Sequence, residues 1–364
     1  MPVSFNERER RYRAVRTMME EKGLSVLVVA SNAMWTGHVR YFSNYAPTYG
    51  YIYLVFPGEG DPTQFVFTKG MAQIASKGWV SDTRQVFNYP NAITQRIKEL
   101  GYEKKRIGLV GTENISFEFY DYLKGELSSA SFINATREIF NLRMIKSEEE
   151  QSFVRQSARI ADHTFARIKE IAQAGLRESD IYAEMNASMW REGVESIFSP
   201  MGSGHFPMSL SLSPSDRVLS PKDSLLIEIT PRFQGYYSQL TVAHPLQAPS
   251  PKMGKFLDTA FAAQKAGLDV MKPGNRAGDV ARAMKDVVER SGYLFPFRGG
   301  HSMGHDLDEP PAIVSEDETI LKPGMTIVVH PSVMDEKGDG VFIGDSYLVN
   351  DTGWERLNKV FLKK

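Results

Sequence analysis

Cysteine is absent from the 364 residues. That excludes disulfides, thiolate nucleophiles and Cys-ligated zinc, and leaves any metal to His, Asp, Glu or carbonyl oxygen. An excess of one charge is also missing, because 43 Lys and Arg stand against 44 Asp and Glu for a formal charge of -1. With no basic run long enough to track a phosphate backbone, nucleic acid is not an expected partner. No apolar run approaches the roughly 18 residues of a membrane helix, and the opening segment MPVSFNERERRYRAV is charged where a secretory signal is apolar. A cytoplasmic protein with no membrane partner is the expectation. What is present is apolar material for real cores, 42% of the chain, enough for one large domain or two ordinary ones.

The first third reads as an α/β unit. An amphipathic helix from about Glu7 to Glu21 precedes short apolar runs, SVLVVA, YIYLVF, QFVF and RIGLVG, separated by polar and helical stretches. Tyr49, Tyr51 and Tyr53 alternate at strand spacing and predict a sheet face. The chain then changes character, with a domain boundary placed at 144/145, giving residues 1–144 and 145–364. Ser147 with Glu150 makes a capping-box start, and Phe153, Val154, Ala158, Ala161, Phe165, Ile168 and Ile171 form one helical stripe. A second helix is expected over about 178–192, and two more over 252–292, joined at KPGNRAGD. Strands DSLLIEI, YYSQLTVA, MTIVVH and GVFIGDSYLV follow the helix pairs, so two similar halves are predicted.

Three segments set polar residues in apolar strands, where a buried polar group is costly unless paired or used. Glu228 sits inside LLIEITP, flanked by Leu225, Leu226, Ile227 and Ile229. His330 ends MTIVVH just before a proline. The third is GGHSMGHDLDEPPAI, where Gly299, Gly300, Gly304 and Pro310 argue against a helix. Extended, His301 and His305 would lie about 13 Å apart, too far to share one ion. Only one of them then belongs to a given centre, and His305, Asp306 and Glu309 read as scaffold.

The strings GHSMGHDLDEPP, LKPGMTIVVHPSV, GVFIGDSYLVNDTG and DSLLIEITPRFQGYYSQLT resemble, in order and spacing, the pita-bread proteins: methionine aminopeptidase, prolidase, aminopeptidase P and creatinase. NLRMIKSEEE and PSDRVLSPKDSLLIEI extend the likeness, and the first third resembles the smaller domain of the creatinase and prolidase branch. The resemblance implies an α/β N-terminal domain and an α+β pita-bread domain, two αα-ββ-type halves around a curved antiparallel sheet.

It also implies a changed site. The family's metallopeptidases hold two ions on two aspartates, a histidine and two glutamates, and these positions carry Glu228, Gln239, His301, His330 and Gly344 here. That set has a single formal negative charge, too little to offset two divalent ions. Asp308 stands where a further histidine is usual, and Ser211 or Leu212 where another is. Creatinase works without metal, yet its catalytic histidine falls at Ser211 and its substrate-binding glutamates at Thr241 and His330.

The expected activity is therefore metal-independent, creatinase-like hydrolysis of a C–N bond, amide, amidine or similar, in a small-molecule substrate, with no cofactor. His301 or His330 would be the base and Glu228 its partner. Gln239, Tyr236, Asp308, His205, Arg40 and Trp35 are the expected substrate contacts, with His244 a further candidate. Two alternatives stand beside it. One is a prolidase-like or aminopeptidase-like enzyme with one divalent transition-metal ion on Glu228, His301 and His330; the other is a non-catalytic protein that binds a small ligand or peptide. A homodimer is expected from the resemblance.

Overall fold

The structure is a computed structural model that describes residues 3–360. The chain divides into two compact units, Met1–Arg143 and Met144–Lys364.

The first unit is built on a six-stranded mixed sheet. Its order is Thr83–Gln85, Thr63–Val66, Tyr51–Pro57, Val26–Asn32, Arg106–Val110, Ser131–Asn134. Val26–Asn32 runs antiparallel to Tyr51–Pro57 and parallel to Arg106–Val110. Its unbroken apolar run reflects burial on both faces: Val26, Val28 and Ala30 enter one core, Leu27 and Val29 the other. The first helix, Phe5–Lys22, is longer at both ends than its apolar spacing predicts. The Ser4 side chain accepts from Glu7 N–H at its start, and Gly23, at φ 62°, closes it.

The second unit repeats a helix pair followed by a sheet. Helix Glu148–Ile171 opens on the expected capping box, with Ser147 N–H donating to Glu150 Oε2 at 2.7 Å and Glu150 N–H to Ser147 Oγ at 3.2 Å. Its apolar stripe, through Phe165 and Ile168, covers Leu225, Ile227 and Ile229 of strand Ser224–Phe233 and Leu240 and Val242 of strand Leu240–Pro245. Each such aliphatic side chain contributes about 1.5–3 kcal/mol on burial. Helices Pro251–Val270 and Ala277–Arg290 cover Ile327, Val329, Tyr347 and Val349 of the other sheet in the same way.

Because strand side chains alternate, the opposite faces of these two sheets are left for polar groups. Glu228 lies opposite Thr241 on one sheet; His301 lies opposite Val328, and Val328 opposite Ser346, on the other. One backbone crossing and one through a serine hydroxyl join the sheets. Thr241 and Gly344 exchange N–H···O bonds of 2.8 and 2.9 Å. The Ser346 hydroxyl accepts from Gln239 N–H at 2.8 Å and donates to the Gln239 carbonyl at 2.9 Å.

These crossings correct two predicted strands. YYSQLTVA splits into Tyr236–Tyr237 and Leu240–Pro245, and GVFIGDSYLV into Gly340–Phe342 and Asp345–Asn350. Gln239 and Gly344 turn their backbone groups toward the other sheet and leave their own ladders. Among the described residues no helix is long and apolar enough to cross a membrane.

Candidate functional site

Glu228 is half-buried in its strand, and burial raises its carboxyl to about 7, with the Arg298 charge pulling the other way. Across the ladder, Thr241 Oγ1 accepts from Gln239 Nε2 at 2.9 Å, which uses one N–H of the Gln239 amide. The Thr241–Gly344 crossing then leads to His330, since a Cβ on Gly344 would lie 2.4 Å from His330 Cβ and 2.9 Å from its Cα. His330 N–H donates to the Gly299 carbonyl at 2.9 Å, setting the imidazole beside the start of strand Gly300–Ser302.

The rings of His301 and His330 are 5.3 Å apart and inclined at 63°, and Phe342 closes over His330 at 5.0 Å. Both histidines are about 4% exposed. Burial pushes His301 down to about 3, helped by Arg298 and opposed by its bond to the Ser302 carbonyl. His330 is held well below the usual imidazole range by burial and by His301. Both are therefore neutral at pH 7. His301 Nδ1 lies 3.0 Å from the Ser302 carbonyl, which can only accept, so Nδ1 carries the proton and Nε2 is free to act as a base. Among the described residues, none hydrogen-bonds the buried His330 Nδ1. Asp308, at the rim, lies 3.8 Å from His301 Nδ1 and 2.6 Å from Arg298 Nη2.

Glu228, Gln239, His301, His330 and Asp308 thus fall along one polar surface of the second unit. Within the second unit, Tyr236, His205 and His244 are held in other surroundings. Tyr236 is buried, stacks on Phe153 and donates to Glu150 Oε1 at 2.7 Å, with His305 Nε2 3.1 Å away, so it belongs to a polar network at the start of helix Glu148–Ile171. His205 is exposed and lines a separate cavity of about 380 Å3 with Phe206, Lys222 and Ser250. His244 packs edge-on to Phe165, on the helix side of the sheet. Trp35 and Arg40 belong to the first unit, where Trp35 N–H donates to Asn32 Oδ1 at 2.8 Å and Arg40 is buried in helix Gly37–Ser43. His305 Nδ1 bonds the Gly235 carbonyl at 3.1 Å, and Glu309 pairs with the buried Lys146 at 3.4 Å, both in scaffold positions.

Two contributors carry little signal in the sequence. Arg298 stands in irregular chain between bends at Phe297 and Gly299, and its only sequence signal is a lone cation three residues before His301. Gly344 matters for what it lacks.

The family's usual metal pair does not fit these residues. Gly344 offers no side-chain ligand, and its backbone is too close to His330 for one. Among the described residues no group of three or more His, Cys, Asp or Glu is placed to hold an ion.

Two sheets, each backed by a helix pair and meeting over a polar surface, define a pita-bread hydrolase domain that follows an α/β unit in the chain. The chain belongs to metallopeptidase family M24, matched over residues 152–351, and its first third matches the creatinase/prolidase N-terminal domain over residues 11–145. It is 28% identical over 268 residues to an Xaa-Pro dipeptidase of Pyrococcus furiosus, covering 72% of this chain and 76% of the relative. It is 26% identical over 397 residues to the ectoine hydrolase of Halomonas elongata, covering 98% of this chain and 96% of the relative. The solved prolidase from Pyrococcus furiosus superposes with a TM-score of 0.81 at 25% identity, covering 95% of this chain and 99% of that one. X-Pro aminopeptidase from Thermotoga maritima shares the fold at TM-score 0.86 and 20% identity, over 96% and 98% of the two chains. The protein is a hydrolase of the creatinase/prolidase family.

Proposed function

We propose that this hydrolase cleaves a C–N bond, an amide, amidine or similar, of a small metabolite without a metal ion. The observation that supports the reading is the approach of Gly344 to His330, which leaves no room for a ligating side chain at 344. What remains is a proton-transfer set: two neutral imidazoles and a carboxyl that titrates near neutrality.

A water held by His301 Nε2, or by His330, attacks the substrate carbon as the imidazole takes its proton. The C–N bond breaks as Glu228, in its acid form, gives a proton to the leaving nitrogen. Proton transfer of this kind typically supplies about 10²–10⁴-fold in rate. Gln239 and Asp308 flank the reacting groups.

The test is hydrolysis of a panel of ectoine, N-acyl amino acids and Xaa-Pro dipeptides by chelator-dialysed protein. Turnover is expected to survive metal removal and to fall about 100-fold or more in His301→Ala. Activity that vanishes on chelation and returns with Mn(II) or Zn(II) overturns metal independence. Full turnover by His301→Ala overturns the role of that residue.

A further inference from the structure

The two imidazoles of the polar surface are held in different ways, and the difference separates their roles. Each is neutral at pH 7 and so carries a single ring proton. His301 keeps its proton on Nδ1, fixed by the Ser302 carbonyl 3.0 Å away, and Nε2 is left bare. His330 is packed the other way about. Its Cβ is pressed against Gly344, Phe342 meets the ring edge-on at 5.0 Å, and Nδ1 is buried. No described residue bonds Nδ1, and the nearby backbone of His330 itself makes no hydrogen bond to it. A proton on Nδ1 would be an orphaned buried donor, which native structures avoid more strictly than an unused acceptor. Nε2 lies at the tip of the ring, away from the packed Cβ, where a proton can be given to water or substrate.

We propose that His330 carries its proton on Nε2 and donates it to the carbonyl oxygen of an amide substrate, stabilising the oxyanion while His301 alone acts as base. This rests on the C–N hydrolase reading and divides the two rings between its steps. Ring centres 5.3 Å apart let one carbonyl group meet both tips, its carbon toward a water on His301 and its oxygen toward His330. As the water oxygen bonds to carbon, the C=O π pair moves onto oxygen and the water proton goes to His301 Nε2. His330 keeps its proton throughout, and its hydrogen bond tightens as charge grows on the oxygen. The pair then returns to carbon, the C–N bond breaks, and Glu228 gives its proton to the leaving nitrogen. His301 and Glu228 are reset by proton exchange with solvent. A neutral donor suits the place, because His301 becomes cationic in the same step and a second imidazolium 5.3 Å away would oppose it.

Long-range proton–nitrogen NMR spectra of the full-length protein, isotope-labelled in histidine, read the tautomers directly at pH 7, with His301→Gln and His330→Gln assigning the two rings. His301 is expected as Nδ1–H and His330 as Nε2–H. Nδ1–H at His330, or a protonated ring there, overturns the proposal. Kinetics on an amide that the wild type cleaves then separates donor from base. A glutamine amide sets an N–H near the Nε2 position of histidine, so His330→Gln should stay within about tenfold of wild type. His330→Ala should lose about 100-fold in kcat with KM little changed. At His301, where a lone pair is needed, glutamine should rescue nothing, and His301→Gln and His301→Ala should be equally slow. His330→Gln as slow as His330→Ala overturns the donor role. The expected tautomers without turnover of any amide reject the hydrolase reading, and the oxyanion with it, and leave the proton assignment standing. Turnover with His330 as Nδ1–H rejects the donor and leaves the hydrolase reading standing.

Discussion

An alanine methyl at position 344 would press on both Cβ and Cα of His330, so Gly344→Ala forces the backbone or the imidazole to move. The expected loss is about 1–3 kcal/mol in urea denaturation, with a fall in turnover as His330 is displaced. Glu228 makes a separate prediction through pH. Its carboxyl is raised from an ordinary 4.5 to about 7, so the folded state holds a proton that the unfolded chain releases. Stability from this group is full below pH 4.5 and is lost as pH rises through 7. Glu228→Gln should therefore be more stable than wild type at pH 8, by about 1–3 kcal/mol, with the gain shrinking toward pH 5. Denaturation midpoints of both proteins across that range check the sign. Glu228 itself was legible in sequence, because a carboxylate inside LLIEITP is conspicuous. Arg298 was not, since nothing in FRGG says which way a rim side chain faces.

Helices and strands carry the next scale. The capping box on Glu148–Ile171 was readable from Ser147 and Glu150 alone, because both partners lie within one turn. Ser147→Ala should cost about 1 kcal/mol in thermal or urea unfolding. Glu150→Ala should cost more than twice that, because it also removes the acceptor of the buried Tyr236 hydroxyl. Tyr236 was expected at the site because its surrounding string resembles the creatinase counterpart. Its role depends on Phe153, far earlier in the chain on a helix, and on His305, in a loop 69 residues later, and local spacing does not encode that meeting. The same reason explains the two broken strands. Alternation predicts a ladder and is blind to a backbone that leaves it for another sheet.

For the whole molecule, the two-halved layout was legible because helical stripes and strand alternation are local signals, and the spacing of GHSMG and its companions indicated the family. The sequence also pointed to missing metal ligands, but the reason no replacement can enter at 344 required the folded backbone. We propose that the protein is a homodimer, and light scattering in dilute solution should give twice the chain mass. A mass equal to one chain would reject it.

The crossings of Gln239 to Ser346 and Thr241 to Gly344 also bear on motion. They are the rivets of the second unit, and the groups proposed for chemistry sit on both sides of them: Glu228 on one plate, His301 and His330 on the other. Any flexing of the plates would change the distance from acid to base. The amide protons of Gln239, Thr241 and Gly344 should accordingly be among the slowest to exchange with solvent deuterium, and Ser346→Ala should speed their exchange and lower turnover together. In this design the alignment of the reacting groups is gauged by the joint that holds the halves shut.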